Sequence, residues 1–460
     1  MATLSGPVFR PGDSGYDSER TGFNLAVDHR PQAVVGATGP DDVVAAVEYA
    51  SAAGVGLAVQ ATGHGPSIAA DGAVLVSTRR MDGVQVDPAT RTARIEAGAR
   101  WERVLPEAAK HGLAPLNGTS PDVGAVGYTL GGGIGPLGRR YGYACDHVRR
   151  FEVVTADGRL REVSADRELD LFWALRGGKG NFGVVVAMEI GLVPVARLFG
   201  GGMYFGAEAT TDVVHAYAEW TRDLPDAMSS SVMLIRFPDD PAVPEPLRDR
   251  FVTHVRIAYC GPPDEGRKLV QPLRDVGARL VDTVADIPYT AVGAIYNDQT
   301  TPVAAYDHGS ALGELDSAAV DALISEAGPQ AGGALIVELR HLGGAFSRPP
   351  AVPSAVGGRD ATFLLFSVSI LQAGLIDEAR RAHARLHSAM SPWSTGATIM
   401  NFLGVDDTAP DRVRSAFAPA GYERLAKLKA VYDPGNLFRI NHNIPPAGGS
   451  ANAGGAASVA

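Results

Sequence analysis

Short apolar runs alternate with amphipathic stretches over the first two hundred residues. Residues 33–37 are apolar and short, which predicts a strand. Over 41–53 the apolar positions Val43, Val44, Val47 and Ala50 recur at helical spacing, and Gly54 follows where a left-handed terminal residue is favoured. Residues 56–61 and 73–78 read as further strands, 84–97 as a hairpin around Asp87-Pro88, and 101–111 as a helix ended by Gly112. Asp157-Gly158 separates two strand-like runs, 151–156 and 159–163, as a tight turn would. From about Phe199 the character changes. Residues 251–259, 334–341 and 362–370 read as strands, 376–388 and 411–417 as helices, and the Pro/Gly-rich 237–247 and 344–358 as loops. Strands joined by both hairpins and helices predict an α+β architecture, not a doubly wound parallel sheet.

A chain of 460 residues exceeds one ordinary core and predicts two to four domains. The changes of pattern divide it into 1–198, 199–418 and a returning segment 419–445, with a Gly/Ala/Ser-rich tail over 446–460 expected to be disordered. No apolar run approaches the roughly 18 residues that cross a bilayer, so no membrane partner is expected. The first residues carry Asp13, Asp17 and Glu19 and no apolar core of a secretory signal. A net charge of −10 disfavours nucleic acid. Two cysteines, Cys145 and Cys260, form no disulfide framework and fit a reducing cytoplasm. The excess of arginine over lysine suggests a GC-rich bacterial source.

Glycine is the informative residue. Nine glycines fall between Gly118 and Gly142. Within this run, Gly133-Ile134-Gly135-Pro136-Leu137-Gly138 fits the dinucleotide fingerprint G-x-G-x-x-G, with Asp157 about 20 residues on. Pro136 and Gly142 interrupt the helix that fingerprint requires, and Asp157 sits in a hairpin where a crossover should begin. An NAD site is therefore disfavoured. The run also carries Val123, Val126, Tyr128, Leu130 and Tyr141, which a flexible linker would lack. An ordered loop rich in backbone N–H groups, able to cradle a pyrophosphate, fits better.

An ordered set of motifs runs through the chain. It begins with Gly15-Tyr16-Asp17 and Arg30-Pro31, then Thr62-Gly63-His64-Gly65 and Asp71-Gly72. It continues with Gly118-Thr119-Ser120-Pro121-Asp122-Val123-Gly124 and Gly127-Tyr128-Thr129-Leu130-Gly131-Gly132-Gly133. Arg140-Tyr141-Gly142, Asp146, Arg176-Gly177-Gly178 and Asn181-Phe182-Gly183-Val184-Val185 follow, and Tyr432-Asp433-Pro434-Gly435-Asn436-Leu437-Phe438-Arg439 closes it. With this set the chain resembles the berberine-bridge-enzyme-like flavoproteins of the vanillyl-alcohol oxidase superfamily. The resemblance implies a PCMH-type FAD-binding domain of two α+β subdomains and a substrate domain with an antiparallel sheet covered by helices.

The resemblance implies FAD bonded covalently through His64. It also implies cofactor contacts from Ala61, Thr62, Gly63, Gly65, Pro66 and Ser67, and from Gly118, Thr119, Ser120, Val123, Gly124, Gly127, Tyr128 and Thr129. Further contacts are implied from Gly131, Gly132, Gly133, Gly135, Tyr141, Gly142, Asp146, Gly183, Val185, Asn441 and Asn443. Two positions depart from the family pattern: Gln60 replaces the usual arginine and Thr62 the usual glycine. Ser120 occupies the position from which some relatives add a cysteinyl bond, so a single attachment is expected. Gly118, a small residue in that loop, favours reaction with oxygen. No metal is expected: His383 and His387 have ligand spacing on a helix but no third partner, and a solvated face accounts for them.

For the chemistry, alcohol or amine oxidation needs a hydride acceptor and a place for a proton. Glu338 is the leading base, sharing a strand face with Arg340; the competing reading is an ion pair between these two that serves the fold. Tyr128 can contact cofactor or substrate, or can be a packed aromatic with its hydroxyl at the surface. Asn401-Phe402 stands where several relatives carry Asn-Tyr, and phenylalanine takes no proton. The expected activity is a covalent-FAD oxidase acting on an alcohol, amine or phenolic natural product with O2. The alternatives are a flavin oxygenase and a flavin-binding protein without turnover.

Overall fold

The computed structural model describes residues 4–65, 68–331, 335–372 and 374–448. The expected tail falls largely outside the described residues, as do Pro66 and Ser67. Among the described residues no helix is long and apolar enough to cross a membrane.

Three sheets organise the molecule. In the first, Val8–Phe9, Ala33–Gly36, Val74–Ser77 and Leu57–Gln60 lie in that order, the last three parallel. The helix Pro40–Ala53 covers it with Val43, Ala46, Val47 and Ala50 buried and Val44 partly so. It ends at Gly54, whose φ of 67° is the left-handed conformation that relieves the last carbonyls.

The second sheet is antiparallel, in the order Val84–Asp87, Thr92–Glu96, Val184–Gly191, Val148–Val154, Leu160–Ser164. Val148–Val154 pairs with Leu160–Ser164 as a hairpin, so the dinucleotide fingerprint leads to no crossover helix.

The third sheet has eight strands, seven of them in the order Arg279–Asp282, Arg197–Gly206, Phe251–Tyr259, Met228–Arg236, Ile336–His341, Phe363–Ile370, Ala305–Leu312, with Ala285–Pro288 also pairing Arg197–Gly206. Every pairing is antiparallel. Strand alternation divides its faces. Val337, Leu339, Phe363 and Leu365 pack under the helices Thr210–Trp220, Ser317–Ala327 and Ile376–Ala389. Glu338, Arg340 and Phe366, offset by one residue, project to the opposite face. The chain is thus α+β, with an antiparallel sheet covered by helices.

Two expectations are corrected. His383 and His387 are not on a solvated face. They lie inward on the sheet, where His383 Nδ1 and His387 Nε2 are each 2.8 Å from Ser367 Oγ. The helix expected over 411–417 is shorter, Pro410–Arg414. Met400, Leu403, Val413 and Phe417 share a core with Trp101, Leu425 and Ile444. The C-terminal motif has a physical role. Asp433 accepts from the backbone N–H of Leu437 (2.7 Å) and Phe438 (2.9 Å) while Lys429, fully buried, donates to it at 2.6 Å. The Leu437 carbonyl then accepts from Leu57, docking this segment on the first sheet.

Candidate functional site

A cavity of about 480 Å³ opens between the first two sheets and the free face of the third. The strand Leu57–Gln60 delivers the loop 61–65 to its wall. Gly63 has a φ of 72° and lies against Gly22, so any side chain there would collide with backbone. This turn presents His64. Its ring stacks on Phe23 at 3.9 Å and 12°, and Nδ1 lies 2.8 Å from Thr62 Oγ1. Nε2 is buried and has no protein partner. Burial lowers the imidazole pKa to about 4, so the ring is neutral at physiological pH. Gln60 donates to the Arg20 carbonyl at 3.2 Å, and Arg79 donates to carbonyls of Ser18, Thr21 and Ala61. Both lock the loop from behind.

The opposite rim is the glycine run, which contains the helix Ala125–Leu130. Its glycines make room for one aromatic ring. A Cβ on Gly118 would meet Tyr128 Cε2 at 2.9 Å, on Gly133 Cε1 at 2.6 Å, and on Gly135 the hydroxyl at 3.0 Å. Trp101 supports the ring edge-on at 5.6 Å. The Tyr128 hydroxyl is therefore buried, not at the surface, and burial raises its pKa. Ser120 and Val123 line the same wall, while Cys145 and Cys260 lie elsewhere.

The third sheet closes the cavity. Glu338 sits between Arg340 Nη2 (2.8 Å) and Arg256 Nη1 (3.2 Å), and Arg340 also donates to the Ile134 carbonyl at 3.4 Å. The two guanidiniums overcome burial and lower the Glu338 pKa to about 2. Such a carboxylate holds no proton and is a weak base, which favours the ion-pair reading. Asp298 accepts from Thr119 Oγ1 and lies 3.8 Å from Arg256. Phe366 and Phe402 meet edge-to-face at 5.0 Å, with Arg340 over Phe402 at 5.4 Å. Asn401 donates from Nδ2 to the Tyr128 carbonyl at 2.9 Å and leaves Oδ1 buried and unpartnered.

The cavity brings together Ala61–Gly65, Gly118–Ser120, Val123, Gly124, Gly127, Tyr128, Gly183, Val185, Glu338, Arg340, Asn401 and Asn441. Other expected contacts do not reach it. Thr129 donates to the Ala125 carbonyl at 2.8 Å inside its own helix. Gly131 leaves the space that Asn401 fills, since a Cβ there would lie 1.9 Å from Asn401 Oδ1. A Cβ on Gly133 would meet the side chains of Tyr128 and Ala144, one on Gly135 would strike the Asn117 carbonyl, and Gly132 lies beside Tyr143 and Val356. Asp146 is held by Arg359 at 2.8 Å and accepts from the Tyr143 N–H. Tyr141 packs edge-on to His147 at 6.4 Å and Gly142 turns beside Asp146. These positions shape the loop and do not line the cavity. Asn443 lies off the wall, although its Oδ1 is also buried without a partner. Sequence reasoning missed Lys179, Asp298, Phe366 and Ile440, which line the cavity. A lysine within a run of glycines was the one available signal.

Orphaned polar atoms concentrate on this wall: Gln60 Oε1, His64 Nε2, Thr78 Oγ1, Tyr128 OH, Asn401 Oδ1 and Asn441 Oδ1. Buried polar atoms need partners, and this spread of donors and acceptors along a long cavity suits an extended, flat, polar-edged ligand such as a flavin dinucleotide.

A family profile described as "FAD binding domain" matches residues 31–164, and one described as "Berberine and berberine like" matches residues 400–445. The chain is 30% identical over 467 residues to (R)-6-hydroxynicotine oxidase of Paenarthrobacter nicotinovorans, covering 97% of this chain and 98% of that protein. It is 25% identical over 470 residues to chitooligosaccharide oxidase of Gibberella zeae, covering 96% and 92%. The crystal structure of 6-hydroxy-D-nicotine oxidase from Arthrobacter nicotinovorans superposes with a TM-score of 0.83 at 26% identity, covering 96% of this chain and 98% of that one.

Proposed function

Because the chain belongs to the berberine-bridge-enzyme-like family of FAD-linked oxidoreductases, we propose that it is an oxidase bonding FAD once, through His64. Its substrate is a small alcohol, amine or phenol, and O2 is its oxidant. The observation that carries this reading is His64 itself: a neutral, buried imidazole in the cavity wall whose Nε2 has no partner.

The bond would form at Nε2. Nε2 is the ring nitrogen without a partner, and where Thr62 Oγ1 accepts from Nδ1–H the lone pair lies on it. No cysteine lines the cavity among the described residues, so a second bond has no donor. The loop 61–65 and the glycine rim would hold the cofactor through backbone N–H groups, and Asn401 and Asn441 would meet its polar edges. When bound, the flavin supplies the two-electron acceptor and the means of passing electrons to O2.

The substrate would enter between the flavin site and the third sheet. Phe366 and Phe402 give that space an aromatic wall, and Asp298 with Thr119 gives it a polar end. The pairing suits a compact ring with one polar or cationic group better than an oligosaccharide, which needs many hydrogen-bonding side chains.

The test is acid precipitation of the purified protein beside His64→Ala. Yellow colour in the wild-type precipitate and its loss in the variant is the expected result. Flavin released into the wild-type supernatant would refute the covalent bond, and failure to bind added FAD would refute the site.

A further inference from the structure

Lys179 is a lysine where its neighbours are Gly177, Gly178 and Gly180. Its φ is 57°, a conformation that side chains other than glycine adopt at a cost and that clusters at functional sites. It lines the cavity beside Gly180 and Asn441. Its only hydrogen-bond partner among the described residues is His442 Nδ1, at 3.4 Å. An ammonium has three N–H groups, so most of its bonding capacity faces the cavity.

The other titratable groups of the wall are committed. Glu338 is clamped by two arginines, Asp298 is held by Thr119 and Arg256, and His29 accepts at Nδ1 from the Ala70 N–H at 3.1 Å. The Tyr128 hydroxyl is held protonated by burial, and His64 is the attachment residue. We propose that Lys179 is the proton-exchanging residue of the cavity, taking the proton that an alcohol or amine substrate loses as it is oxidised. This rests on the flavin reading above. The substrate C–H bond breaks with its electron pair, leaving as hydride to the flavin. The O–H or N–H bond breaks toward the Lys179 Nζ lone pair, and its electrons complete the new C=O or C=N bond. The hydride, together with the proton returned by Lys179, reaches O2 as H2O2, so the cycle balances without another reactant.

The surroundings support this role. His442 Nε2 lies 3.0 Å from the Gly404 carbonyl, which only accepts, so Nε2 carries the hydrogen. Burial and the neighbouring cation keep that ring neutral. Its Nδ1 is then an acceptor, and it orients one Lys179 N–H while a lone pair on the deprotonated amine faces the cavity. Asp307, on Ala305–Leu312, acts on the ammonium through space, and Asp407 stands behind Asp307, paired with Arg412 and His308. Burial draws the Lys179 pKa down to about 8, partly opposed by Asp307. A lysine so placed exchanges a proton near neutral pH.

The test needs no substrate. Holoprotein, its flavin content first established by acid precipitation, is titrated between pH 6 and 10 for the flavin midpoint potential. Lys179→Met and Lys179→Arg are titrated alongside. Wild type should show a change of slope near pH 8, absent from both variants. Lys179→Arg, which keeps the charge but not the titration, should hold a potential near wild type at pH 7, while Lys179→Met falls below it. Asp307→Asn should move the break to lower pH, because a neutral amide no longer favours the ammonium. A break that persists in both Lys179 variants, or one that Asp307→Asn leaves in place, overturns the proposal. Wild-type protein without flavin would instead be the failure of the flavin reading.

Discussion

Thr62 Oγ1 lies 2.8 Å from Nδ1 of His64, and that contact assigns the two ring nitrogens different work. Where Nδ1 donates to that hydroxyl, the nucleophilic lone pair is on Nε2, the nitrogen without a partner. Thr62→Val keeps the shape and removes the acceptor. A net hydrogen bond of about 0.5–1.5 kcal/mol predicts covalent attachment slowed roughly two- to tenfold. The measurement is the growth of acid-stable yellow colour after apoprotein is mixed with FAD. The wild-type rate should be level from pH 8 to 6 and fall as pH approaches 4, where the ring protonates and loses its nucleophile. An unchanged rate in Thr62→Val would show that the hydroxyl does not select the tautomer.

Asn401 occupies the space left by the missing side chain of Gly131. A Cβ there would overlap its amide, at 1.9 Å from Oδ1. Gly131→Ala should push Asn401 off the Tyr128 carbonyl and disturb the wall. Overpacking of this kind costs about 1–3 kcal/mol. The expected outcome is weaker FAD retention by the His64→Ala protein, in which no covalent bond conceals affinity, read by fluorescence titration. Equal affinity with and without the substitution would remove Asn401 from the cofactor wall.

The outer parts of this arrangement were legible in the sequence and the inner ones were not. Val43, Val47 and Ala50 declare a helix because one face is buried and the other wet. Arg197–Gly206 was not recognisable as a strand, because Gly200 and Gly201 lie where a Cβ would strike the Ile257 and Thr283 carbonyls. Close strand approach there excludes the residues that announce a strand. Met228–Arg236 was hidden likewise by Ser229-Ser230-Ser231, and Ala305–Leu312 by Asp307 and by His308, which is paired with Asp407 inside the fold. At the site, the glycine motifs carried the loop, because backbone constraint leaves glycine as its trace. The Arg256–Glu338 pair joins residues far apart in sequence, and only strand register could show that two arginines meet one carboxylate.

That clamp bears on Glu338→Gln. Were Glu338 the base, the amide would abolish flavin reduction and leave stability intact. The geometry predicts the reverse emphasis. Removing the carboxylate leaves Arg340 buried with its charge uncompensated and Arg256 with Asp298 alone at 3.8 Å, and breaking a buried pair in this way costs about 3–5 kcal/mol. The urea midpoint should drop markedly, while the folded fraction keeps the pH dependence of its flavin potential. Intact stability together with loss of reduction by a true substrate would restore Glu338 to the chemistry.

Acid stability follows from the buried histidines, and the sign can be worked through. Burial is the leading cause that lowers the pKa of His64 and His383 to about 4, of His341 and His442 to about 3, and of His387 to about 2. Between pH 6.5 and 4 the unfolded chain protonates these rings and the folded chain does not. The unfolded state then binds more protons, so stability rises with pH across this window and falls on acidification. Each such ring contributes up to about 1.4 kcal/mol per pH unit. Asp307 opposes them by one proton, since burial and Asp407 raise its pKa to about 7 and it stays protonated when folded while its unfolded form ionises above about 4. The carboxylates of Glu338 and Asp407, held low by their cationic partners, retain their charge until the pH falls below the window. The urea midpoint should therefore fall steeply from pH 6.5 to 4.5. His387→Gln should flatten the slope by about one proton. A midpoint level across that window would mean that these rings open to water, and that the packing of Ile376–Ala389 onto the sheet is looser than the hydrogen bonds to Ser367 imply.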